Sequence, residues 1–74
     1  MKPITLAEAR AAKEKLALDL IDLPELAGIG IAVLESGGYG VKVNLSAPLA
    51  TPVIPVDVDG VPVVVEVVGE IEAG

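Results

Sequence analysis

The chain has 74 residues, a formal net charge of −6, no cysteine and no histidine. Disulfides, zinc sites built on Cys or His, and Ser-His or Cys-His nucleophile pairs are therefore ruled out. Tyr39 is the one aromatic residue, and an acidic chain without stacking platforms is a poor match for nucleic acid.

Thr5-Leu6-Ala7-Glu8 has the form of a capping box. Thr5 can accept from the backbone N–H of Glu8 while Glu8 reaches back to that of Thr5. A helix is expected over about residues 6–22, ended by Leu23-Pro24 because a residue before proline is pushed out of the α region. Leu6, Ala9, Ala12, Leu16, Leu20 and Leu23 form one stripe at helical spacing, with Lys13 at its edge. Ala7, Ala11 and Leu18 lie on the opposite side, with Ile21 on a flank. Alanine is a good helix former in its own right, but an exposed leucine gains nothing over alanine by propensity. These four residues are candidate contacts with another subunit. The first sixteen residues carry charges throughout, unlike a signal peptide. No apolar run reaches the ~20 residues of a membrane-spanning helix. The expectation is a cytoplasmic protein with no membrane partner.

Residues 26–45 read as a β-hairpin. Ile29, Ile31 and Val33 alternate with Gly28, Gly30 and Ala32; Tyr39, Val41, Val43 and Leu45 alternate with Gly40, Lys42 and Asn44. Both apolar sets share a face if Val33 pairs with Tyr39, Ile31 with Val41 and Ile29 with Val43. A three-residue loop, Glu35-Ser36-Gly37, gives this register with Gly37 left-handed. Gly37→Val should then destabilise more than Gly38→Val. Gly28 and Gly30 are no dinucleotide fingerprint, because the strand runs straight through them and no helix follows. They leave a groove where another group can approach closely. With Tyr39 nearby, this is a candidate small-ligand site.

Residues 46–52 form a proline-rich crossing loop, and a second hairpin is expected over about 53–71. Asp59-Gly60 suits a type I′ turn that sets Val58 against Val61 and Val56 against Val63. Val56, Val58, Val61, Val63, Val65 and Val67 then share one face. Pro55 and Pro62 mark the strand before the turn as an edge or as interrupted. The last strand carries Val64, Glu66, Val68 and Glu70 on its other face. Facing water alone, Val64 and Val68 would be wasted, so the strand is either covered on both faces or joined to a neighbouring chain. The run also has high β-propensity, with only Pro62 and Glu66 as gatekeepers. Val64 and Val68 therefore join Ala7, Ala11, Leu18 and Ile21 as candidate interface residues. Asp57 and Glu66 share an outer face, and two carboxylates could hold a hard cation or act as acid and base. A solubilising face plus a turn aspartate is the simpler reading. No hydroxyl among Thr5, Ser36, Ser46 and Thr51 has a base beside it in the sequence.

Leu23, Pro24, Gly28, Gly30, Asp59, Gly60, Val61, Pro62, Val63, Gly69 and Ile71 carry a resemblance. Their arrangement is similar to a small bacterial domain of unassigned function that occurs alone or ahead of trypsin-like serine protease domains. The resemblance implies an accessory or prodomain-like module rather than a catalytic one. The regular Val, Ala and Gly composition also suits an idealised, designed sequence with no biological function.

These readings converge on a single α+β domain over residues 1–74. One N-terminal helix packs on a four-stranded, mainly antiparallel sheet made of two β-hairpins. A chain this short buries only about 60–65% of its unfolded surface. With disulfides and Cys/His metal sites closed to it, self-association is the favoured compensation. The expected function is a non-catalytic module with no cofactor or metal that forms a homo-oligomer or binds another protein. The alternative is a small-ligand or ion site at Gly28, Gly30 and Tyr39 or on the acidic face.

Overall fold

The computed structural model of the chain describes residues 3–49 and 53–68. Helix α1 (Leu6–Leu20) opens on the expected capping box. The Glu8 N–H donates to Thr5 Oγ1 at 3.1 Å, and the Thr5 N–H donates to Glu8 Oε1 at 3.2 Å. Thr5→Ala removes the cap acceptor and should lower stability by about 1 kcal/mol, read as a shift in the urea midpoint. The helix stops earlier than the sequence spacing suggests. Leu23 turns back so that its N–H donates to the Leu20 carbonyl at 2.9 Å, and Ile21 becomes the C-cap. A residue before proline cannot continue the helix.

Four strands follow: β1 (Leu26–Val33), β2 (Tyr39–Leu45), β3 (Asp57–Val58) and β4 (Val61–Val67). Their spatial order is β1-β2-β4-β3. β1 and β2 are antiparallel with Val33 opposite Tyr39, Ile31 opposite Val41 and Ile29 opposite Val43. The register then shifts between Leu26 and Gly28, so that Leu26 lies opposite Leu45. Ala27 is the extra residue of this bulge. Gly37 has φ +96°, as the three-residue loop requires. Gly38 has a constraint of its own that the sequence did not reveal. A Cβ there would lie 2.8 Å from the backbone nitrogen of Ile4. Gly38→Val drives a side chain into backbone, and Gly37→Val strains a left-handed backbone even though the space around it is open. Both substitutions are therefore expected to destabilise, Gly37→Val through backbone strain and Gly38→Val through the clash with Ile4.

β3 and β4 are joined by Asp59 (φ 51°) and Gly60 (φ 83°), the two left-handed residues of a type I′ turn. Val58 lies opposite Val61, and the Val63 N–H donates to the Val56 carbonyl at 3.0 Å. β3 is an edge strand of two residues, as Pro55 and Pro62 suggested. The central pairing is parallel: Val41 opposes Val63, Val43 opposes Val65 and Leu45 opposes Val67. Parallel neighbours need a crossover connection, and β3, antiparallel to β4, is its last part.

The core lies between one face of α1 and the odd-numbered face of the sheet. Ala9, Ala12, Leu16 and Leu20 pack with Val41, Val43, Leu45, Val58 and Val61. α1 covers β1 and β2 alike but touches β4 much less. The valines of the second hairpin are thus not equally buried. Val58 and Val61 are in the core, Val65 and Val67 are nearly half exposed, and Val56 is 83% exposed. Val56 belongs to the connecting segment ahead of β3, where no helix lies above it to cover it. Among the described residues no helix is long and apolar enough to cross a membrane.

Candidate interaction surface

The six candidate interface residues are all exposed, but they do not form one patch. Leu18 and Ile21 are 73% and 71% exposed and project from α1, beside exposed Ala7 and Ala11. Val64 and Val68 lie on the even-numbered face of the sheet, the face that α1 does not cover. Val64 opposes Lys42 there, and the Val68 N–H donates to the Leu45 carbonyl at 2.8 Å. The fold therefore presents two separate surfaces on opposite sides of the domain.

The proposed ligand groups do not converge either. Tyr39 sits opposite Val33 and packs against the core cluster, on the helix face. Gly28 and Gly30 oppose Asn44 and Lys42 on the other face, so the alternating pleat separates the three residues. Asp57 and Glu66 are also apart. Asp57 opposes Pro62, four residues or ~13 Å along β4 from Glu66. Each has a partner of its own. Asp57 Oδ2 accepts from the Gly60 N–H at 3.3 Å, which braces the turn. Glu66 pairs with Lys42 at 2.6 Å. Among the described residues no group of three or more acidic side chains gathers in one place. Thr5 Oγ1 is engaged in the helix cap, and Ser46 Oγ donates to the Glu25 carbonyl at 3.2 Å. Thr51 lies outside the described residues, as does Glu70.

No family model, curated protein or solved structure matches the chain. What the structure adds is a reason for some of the residues behind the bacterial-domain resemblance. Asp59 and Gly60 are set by their turn. Among the described residues nothing sets Gly28 or Gly30. Neither has a positive φ, and a Cβ at either would meet no atom within 4 Å. Glycine weakens a strand interior and often marks a place where another backbone approaches closely.

Two features escaped the sequence reading. The first is a cleft of about 280 Å³ lined by Leu45, Pro48, Leu49, Ile54, Val65 and Val67. Pro48, Leu49 and Ile54, rather than the helix, bound it beside the far half of β4, and its lining is wholly apolar in residue type. The second is the free edge of β1, which among the described residues pairs only with β2. Strand order decides this, and strand order is set by the parallel β2–β4 contact, which no local pattern announces.

Proposed function

We propose that the chain is a non-catalytic interaction module that self-associates through strand surfaces left open in the single copy. The observation that carries this reading is the exposure of β4 on both faces. Val64, and Val68 just past the strand's end, are 42% and 43% exposed on one side, Val65 and Val67 46% and 47% on the other. Such a strand is an aggregation hazard unless something covers it. The accessory role implied by the bacterial-domain resemblance agrees with this reading, and a cytoplasmic location is part of the proposal. The test is mass in solution by light scattering across a dilution series. A discrete mass above that of one copy supports the reading; one-copy mass at every concentration contradicts it.

A further inference from the structure

We propose that two copies of this chain pair antiparallel through the free edge of β1, with Gly30 lying against the partner's Gly30 on the two-fold axis. The proposal rests on the self-association reading but uses a different open strand, the edge of β1, and leaves the exposed faces of β4 as a separate surface. The bonding alternation of the hairpin fixes which groups are free. The Leu34 N–H donates to the Gly38 carbonyl at 2.8 Å, so Leu34 faces β2. In an antiparallel pair alternate residues then do the same, which turns Ala32, Gly30 and Gly28 inward. Ile29, Ile31 and Val33 direct their N–H and C=O groups outward, to the open edge. Residues 26–33 contain no charge and no proline, the usual guards of a natural edge.

The occupant is a second copy because this edge reads nearly alike in both directions. With the axis at Gly30, Ile29 opposes the partner's Ile31, Gly28 opposes the partner's Ala32 and Ala27 opposes the partner's Val33. Isoleucine meets isoleucine on the helix face, and small residues meet small on the outer face. Each copy offers what the other needs, as an isologous contact requires. Moving the axis to Ile31 shortens the overlap, and moving it to Ile29 sets the bulged Ala27 against the partner's Ile31.

The helices fit the same arrangement. α1 lies over β1 and β2 alike, so across the axis the two helices stand two strand spacings apart, about 10 Å. That is a normal packing distance for helices. Lys15 reaches Asp59 in the β3–β4 turn at 3.1 Å, which orients that flank of α1 towards β4. The opposite flank, with partly buried Lys13 and Ala17, overlooks the free edge. Ala17 is small enough to admit the second helix, and Ile21 lies near the same flank at its C-terminal end. Strand pairing alone falls short of the ~800 Å² per partner of a stable interface, and the helix contact adds to it. Pairing about a two-fold axis consumes the edge and closes at two copies.

The test uses Gly30→Glu in the full chain. The site has open space and Lys42 opposite, so the variant should fold as one copy. On the axis two glutamates would face each other with Cα atoms about 4.5 Å apart. We expect dimer mass for the wild type, one-copy mass for Gly30→Glu, and recovery of dimer mass when Gly30→Glu is mixed with Gly30→Lys. Circular dichroism checks folding. Should Gly30→Glu fail to fold, Val33→Lys, at a side chain 79% exposed, carries the test with the same expected loss. A wild-type oligomer that these variants leave intact overturns the edge pairing while keeping self-association. A wild type at one-copy mass throughout overturns both.

Discussion

Leu16→Ala should lower the stability of the domain by about 2–5 kcal/mol, the loss expected when a buried leucine is truncated and the cavity cannot close. Leu16 is wholly buried and packs in the same cluster as Val41 and Val43, the other large side chains that are fully buried in the core. A domain of this size has roughly 4–10 kcal/mol in total. The variant should therefore unfold at much lower urea and be partly unfolded without denaturant. Leu18, two positions on, is 73% exposed, and Leu18→Glu should move the midpoint of the single copy by no more than about 0.5 kcal/mol. Equal losses at the two positions would mean that α1 is rotated on the sheet from the orientation described.

Gly40→Ala should be nearly as damaging, for a different reason. A Cβ on Gly40 would lie 2.8 Å from the Pro62 carbonyl oxygen and 3.2 Å from Leu34 Cδ2. The first of these is backbone, so relief requires β2 and β4 to separate where their parallel pairing begins. Overpacking of this kind costs about 1–3 kcal/mol. Gly30→Ala, one strand away in open space, should be neutral or stabilise the single copy by up to about 1 kcal/mol. Urea midpoints for the pair decide the matter. A Gly40→Ala variant as stable as Gly30→Ala would show that β4 does not run beside β2 as described.

Both hairpins could be read from the sequence because their information is local. Alternation fixed the faces, Gly37 and Asp59-Gly60 fixed the turns, and the β1–β2 register followed residue by residue. The capping box at Thr5 was legible for the same reason. What could not be read was how the hairpins meet. The parallel contact of β2 with β4 depends on the close approach at Gly40 and on a crossing loop without periodicity. From that contact follow the exposure of Val65 and Val67, the apolar cleft beside them and the free edge of β1. The candidate site suffered likewise. Leu18, Ile21, Val64 and Val68 are exposed as expected, yet which of them lie together is a question of layers. The pairing of Gly28 and Gly30 with Tyr39 failed on the pleat, since proximity along a hairpin does not put two residues on one face.

Amide hydrogen exchange of the wild type at low and high protein concentration, resolved by residue, bears most directly on association through open strands. In the dilute sample Gly28, Gly30 and Ala32, bonded to β2, should be protected, while Ile29 and Ile31 exchange quickly. At high concentration Ile29 and Ile31 should become protected as well, because their outward N–H groups gain a partner. Exchange that is independent of concentration at every amide of β1 and β4 would contradict association through these strands.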